Sequence, residues 1–273
     1  MPDSTPKSRL INAIRTKRSY LCVGLDPVPE RIPSAAGTGV AGMERFCLDI
    51  VASTAEHAVA FKPNLAFFEQ YGSAGWAALE RIVRAIPTDC LVIADAKRGD
   101  IGSTATRYAE AFFNGLGAGA VTVAPYMGAD SVLPFTAFTD HWTVLLALTS
   151  NPSAADFEFH GDPPLHEVVV EKSLAWGSAE NLMYVVGATR PDGLARVRDL
   201  APDHFFLVPG VGAQGGNLED VSNAGWNADC GLLVNSSRGI LYASSATDYA
   251  DAARNAAASL HEGMRKILDE KGF

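Results

Sequence analysis

The stretch LVIADAKRGDIGST, Leu91 to Thr104, runs from an apolar segment into four ionisable side chains within six residues: Asp95, Lys97, Arg98 and Asp100. Side chains on a strand alternate between faces, so Asp95 and Lys97 are expected to share one side, with Ala96 on the other. Gly99 is then expected to turn the chain, and Asp100 to stand near the start of a helix. A surface ion pair with an aspartate cap is the ordinary meaning of such a cluster. Here the charges emerge from a continuously apolar run, which reads as a strand covered on both faces. Alternating lysine and aspartate in a site with little water hold fixed charges whose mutual fields are strong, the requirement for stabilising charge that develops during a reaction.

Those residues need elements to position them. Apolar runs recur along the chain as YLCVGL from Tyr20, AVAFK from Ala58, CLVIADA from Cys90 and AVTVAP from Ala120. They continue as WTVLLAL from Trp142, LMYVVGA from Leu182, FFLVPG from Phe205 and GLLVNS from Gly231. Between them lie helical patterns such as Gly75 to Ile86, Pro164 to Gly177 and Asp192 to Ala201, and a long helical segment closes the chain. Eight buried strands alternating with helices predict a (β/α)8 barrel, an α/β fold of the TIM type, with a doubly wound open sheet as the alternative. No low-complexity tract divides the chain, so residues 1–273 read as one domain with an N-terminal helical extension at about 1–19.

In such a barrel the active site lies at the C-terminal ends of the strands. Asp26, Lys62, Asp95 with Lys97, and Ser150 end or follow the first, second, third and fifth runs, and should face one cavity. Two long connections, Asp26 to Gly42 and Ser150 to Pro164, lie at the same end, where they could serve as lids. The loops PGVGAQGGN after the seventh run and NSSRGI after the eighth occupy the usual phosphate position of these barrels. Glycine-rich backbone can approach an anion, and Arg238 can grip two phosphate oxygens, so a phosphate monoester is the expected handle.

A net charge of -9 offers no basic excess for nucleic acid. No apolar run is long enough to span a bilayer, and the basic N-terminus lacks the continuous apolar stretch of a secretory signal. A cytoplasmic protein with no membrane partner is expected. Cys22, Cys47, Cys90 and Cys230 are far apart, without a C-x-x-C pair, and the six histidines show no two-ligand helical spacing. No metal site and no nucleotide-phosphate loop of the Walker type are legible.

The segment DAKRGDIGST resembles the D-x-K-x-x-D signature of the orotidine 5'-phosphate decarboxylases, in the form of their mycobacterial-type branch. The resemblance extends through most of the barrel and implies decarboxylation of orotidine 5'-phosphate to uridine 5'-phosphate, in pyrimidine biosynthesis, without metal or cofactor. It implies that Asp95, Lys97 and Asp100 are the central catalytic carboxylates and lysine, with Lys62 the second lysine of the array. Asp26 then contacts the ribose, Thr104 and Ile101 contact the nucleotide, and Gln214 and Arg238 grip the phosphate. Ser150 reads the pyrimidine, with Thr149 and Asn151 as alternatives. The resemblance also implies a homodimer, in which Asp100 and Thr104 enter the neighbouring subunit's site. Sister families with the same signature, the 3-keto-gulonate 6-phosphate decarboxylases and hexulose phosphate synthases, use magnesium held by an acidic residue where this chain has Lys62. A non-catalytic barrel that binds a phosphorylated metabolite is the other alternative.

Overall fold

The computed structural model describes residues 5–211 and 216–273. Its strands are β1 (Leu21–Leu25), β2 (Ala60–Pro63), β3 (Leu91–Arg98) and β4 (Ala120–Val123). They are followed by β5 (Trp142–Leu148), β6 (Leu182–Val186), β7 (Phe205–Pro209) and β8 (Leu232–Ser236). All pair in parallel in sequence order, and β8 returns to β1 to close an eight-stranded barrel. The alternation of buried strands and helices thus closes on itself, and the open sheet is excluded.

The helices before the mid-chain are α1 (Pro6–Lys17), α2 (Gly39–Thr54), α3 (Ala66–Glu69), α4 (Gly72–Ala85) and α5 (Gly102–Glu110). Beyond them come α6 (Ala129–Thr136), α7 (Leu165–Ser173), α8 (Pro191–Leu200), α9 (Leu218–Gly225), α10 (Arg238–Leu241) and α11 (Tyr249–Glu270). Both long connections hold short 3-10 turns, at Pro29–Arg31 and Ser34–Ala36 after β1 and at Pro152–Asp156 after β5.

Strands β1, β2, β4 and β6 are buried along their whole length, because helices cover the outer face and side chains fill the interior. Each fully buried Leu, Ile or Phe, such as Phe61, Phe205 or Leu233, contributes roughly 1.5–3 kcal/mol. Helix α1 starts with the Thr5 hydroxyl accepting from the Ser8 amide and Pro6 at its first position. It stops where Arg18 turns left-handed (φ 52°), and it buries Leu10 and Ile14.

Candidate active site

The second and third strands deliver the charges. Lys62, on β2, is 5% exposed and Asp95, on β3, is 8% exposed, so the barrel wall withholds water from both. Lys62 Nζ lies 2.6 Å from Asp95 Oδ2, and Lys97 Nζ lies 2.5 Å from Asp95 Oδ1. One carboxylate thus holds two ammonium groups, one on each oxygen. Burial pushes the Asp95 carboxyl up, but Lys62 and Lys97 outweigh it and hold the pKa down at about 2. Burial likewise lowers Lys62, while Asp95 and Asp26 raise it further, so its pKa lies above the ordinary lysine value. Both groups stay charged at neutral pH.

Simple strand alternation does not produce this contact. The β3–β4 register shifts between Ala94 and Arg98, and Lys97 adopts a left-handed backbone with φ 46°. Thr122, the polar residue in the apolar run of β4, supports the distortion. Its Oγ1 accepts from the amides of both Ala96 (2.9 Å) and Lys97 (2.8 Å) and donates to Asp95 Oδ1 (3.2 Å). A lysine with positive φ is strained, and such strain persists where surrounding bonds over-determine it. The expected turn at Gly99 therefore moves: the left-handed residues are Lys97 and Gly102. Nor is Asp100 the helix cap. Ile101 occupies that position, and Asp100 Oδ1 accepts from the Ile101 amide at 2.8 Å.

Among the described residues no hydrogen bond or ion pair joins Asp100 to Lys97 or Asp95. Ile101 and Thr104 are exposed at the start of α5. The remaining residues gather at the C-terminal ends of β1, β5 and β8. Asp26 follows β1, and its Oδ1 is buried without a partner among the described residues, as is Asn235 Oδ1 on β8. Both are acceptors at the mouth of the barrel, suited to a ligand's hydroxyl or amide donors. Gly24 permits this closeness, since a Cβ there would stand 1.8 Å from Ser237 Oγ and 3.0 Å from Asn235 Oδ1. Arg238 opens α10 and is exposed, Ser150 follows β5 and is half-buried, and Gln214 lies outside the described residues.

Three supporting residues escape sequence reasoning. Thr122 has a faint signal, a hydroxyl within AVTVAP. Tyr242 has none: its hydroxyl donates to the Asp26 carbonyl (2.8 Å) and accepts from the Val28 amide (2.6 Å), bracing the β1 loop from just beyond α10. Glu158, an acid in the long connection after β5, binds Thr149.

A cavity of about 810 Å³ lies at the opposite end of the barrel, between α1 and the starts of β3 and β4. Its wall includes Leu10, Ala13, Val83, Ile86 and Leu91, and it contains none of the charged array. The array's own geometry, rather than cavity size, identifies the site.

A closed (β/α)8 barrel with buried lysine and aspartate fixed at the C-terminal ends of adjacent strands defines the class: a barrel built to present fixed charge to a small ligand. Residues 19–253 match the model of the orotidine 5'-phosphate decarboxylase / HUMPS family. The orotidine 5'-phosphate decarboxylase of Bacteroides fragilis is 47% identical over 268 residues, covering 96% of this chain and 98% of that protein. The one from Flavobacterium johnsoniae shows the same identity and the same coverage of both chains, 47%, 96% and 98%. The structure of Leishmania donovani OMP decarboxylase superposes with a TM-score of 0.82 at 41% identity, covering 95% of this chain and 99% of that one. This chain belongs to the orotidine 5'-phosphate decarboxylase / HUMPS family.

Proposed function

We propose that this protein decarboxylates orotidine 5'-phosphate to uridine 5'-phosphate, a step of pyrimidine biosynthesis, using only its own side chains. The observation that carries the reading is Asp95 held between Lys62 and Lys97 at the barrel's C-terminal end. The names of its relatives agree with it. In the reaction the bond from C6 to the carboxylate breaks, its electron pair stays on C6, and carbon dioxide leaves. The resulting carbanion lies in the ring plane without delocalisation, so fixed positive charge must stabilise it. Lys97 supplies that charge and then donates a proton to C6. At an effective dielectric of about 20, one charge roughly 4 Å away contributes on the order of 4 kcal/mol. Enzymes lower barriers by about 8–23 kcal/mol, so the carboxylates that orient Lys97 and the binding energy of the remote phosphate must supply the rest.

Asp26 takes the ribose hydroxyls, Ser150 the pyrimidine, and Arg238 with Gln214 the phosphate. The metal-free reading rests on Lys62. Its ammonium occupies Asp95 Oδ2, where a divalent ion would otherwise draw on that carboxylate. The sister magnesium chemistry is therefore disfavoured.

The partner is a second copy of the chain. Ile101 (54% exposed) in the loop after β3, and Tyr126 (87%) and Met127 (49%) in the loop after β4, are exposed large apolar side chains, as is Leu133 of α6. Large apolar side chains left exposed on the loops of two adjacent strands suit an interface. Asp100, Ile101 and Thr104 lie in the loop after β3 and the first turn of α5, so a copy seated there would receive them into its own site. We read the chain as one domain, and the four free, buried cysteines suit a cytoplasmic setting. Among the described residues no helix is long and apolar enough to cross a membrane.

The deciding experiment follows the absorbance of orotidine 5'-phosphate with and without exhaustive chelation. The reading requires turnover to uridine 5'-phosphate at an unchanged rate. Loss of turnover restored by magnesium would assign the sister chemistry, and nucleotide binding without turnover would assign a non-catalytic barrel.

A further inference from the structure

Strand β5 ends its ladder at Leu148, whose carbonyl accepts from Gly187, and the next amide, that of Thr149, has no strand to bond. Glu158, nine residues further on, supplies the missing acceptor. Its Oε2 accepts from the Thr149 amide at 2.7 Å and its Oε1 from the Thr149 hydroxyl at 2.6 Å. The same hydroxyl lies 2.6 Å from the Asn151 side-chain amide. A hydroxyl has one proton, which goes to the carboxylate, so Asn151 must turn its Nδ2 toward Thr149 and donate. Thr149 is thus committed to the carboxylate directly, and Asn151 to the Thr149 hydroxyl.

Glu158 is itself fixed at both backbone groups. Its amide donates to Ala154 O at 2.8 Å, and its carbonyl accepts from the His166 amide (3.0 Å) and the buried His166 ring at Nδ1 (2.8 Å). Between Thr149 and Asn151 stands Ser150, against Gly187, where an added Cβ would come within 2.9 Å of Ser150 Cβ. We propose that Glu158 is a positioning residue that clasps Thr149, and through its hydroxyl Asn151, and so fixes Ser150 as the group facing the pyrimidine. This rests on the decarboxylase reading above, and it removes Thr149 and Asn151 as alternative readers of the base.

The test measures direct binding of uridine 5'-phosphate and of ribose 5-phosphate, alongside KM and kcat for orotidine 5'-phosphate. Glu158→Ala should weaken uridine 5'-phosphate by about tenfold or more and leave ribose 5-phosphate unchanged, since only the base loses its partner. Glu158→Gln should restore most of the loss, because its amide oxygen can accept from the Thr149 amide while its nitrogen donates to the hydroxyl. Should Glu158→Ala fail to fold, Thr149→Ala removes both hydroxyl contacts but keeps the amide contact to Glu158, and should give a smaller loss confined to the same ligand. Equal weakening of both ligands, or of neither, would overturn the proposal. A wild-type protein without turnover would end the decarboxylase reading, yet a selective loss of uridine 5'-phosphate binding would still uphold the clasp.

Discussion

At the N-terminal end of the barrel Lys17 divides its ammonium among the carbonyls of Ala55 (3.1 Å) and Ala58 (3.0 Å), the Cys90 thiol (3.0 Å) and the Asp89 carboxylate (3.0 Å). Lys7 does the same with Asp203 O at 3.0 Å and Asp229 at 2.8 Å. At the C-terminal end Lys62 and Lys97 share the single carboxylate of Asp95. Both ends bury lysine, so burial alone does not mark function. The difference lies in what remains unmet. The lower lysines are matched by carbonyls and carboxylates of their own chain and tie α1 under the barrel. The upper array sets two ammonium groups against the carboxylates of Asp95 and Asp26, and among the described residues the Asp26 and Asn235 acceptors there stay orphaned. One end is electrostatically finished, and the other holds unmet acceptors that suit a ligand with hydroxyl or amide donors.

Substitutions should separate the two ends. Lys97→Ala should lower kcat/KM for orotidine 5'-phosphate on the order of 10^4-fold or more while leaving the melting temperature nearly unchanged, since Lys62 still neutralises Asp95. Steady-state kinetics beside a thermal melt would check it. A comparable loss of stability would erase the distinction. Lys17→Met should do the reverse: lose about 2–3 kcal/mol in a urea titration, as its carbonyl and carboxylate partners go unsatisfied, with kcat preserved.

A smaller effect sharpens the comparison through pH. The Asp95 pKa is depressed in the folded state, so its stabilisation is fully present above the ordinary carboxylate pKa and is lost as pH falls toward about 2. The contribution is roughly 2 kcal/mol. Urea titrations between pH 5 and pH 2 should show that acid limb in the wild type and lose it in Asp95→Asn. An unchanged limb in the variant would mean that Asp95 is not the group that titrates.

The barrel was legible because parallel strands covered on both faces read as apolar runs, and eight such runs at even spacing have few other ways to fold. The array was legible for the related reason that charge at the end of such a run needs a purpose. What stayed hidden depends on contacts distant in sequence. The left-handed Lys97 needs Thr122 on the neighbouring strand, and Tyr242 reaches Asp26 from the far end of the chain. The clasp of Glu158 on Thr149 crosses a loop whose path no periodicity predicts. Asp95 and Lys97 do meet, as alternation expects, but through a bulge and a left-handed Lys97 that alternation does not predict.

The unfinished upper end makes its strongest claim about Asp100, which meets neither Lys97 nor Asp95 in its own chain. Lys97→Ala and Asp100→Ala proteins, each nearly inactive, should be mixed, unfolded and refolded together. In a hybrid dimer one site carries both lesions, and the other joins an intact Lys97 to the partner's intact copy of Asp100. Random pairing makes half the dimers hybrids, each with one good site of two, so activity should return to about one quarter of wild type. If refolded wild type recovers while the mixture stays as inactive as its parents, both residues serve one subunit's site and the shared-site account is wrong.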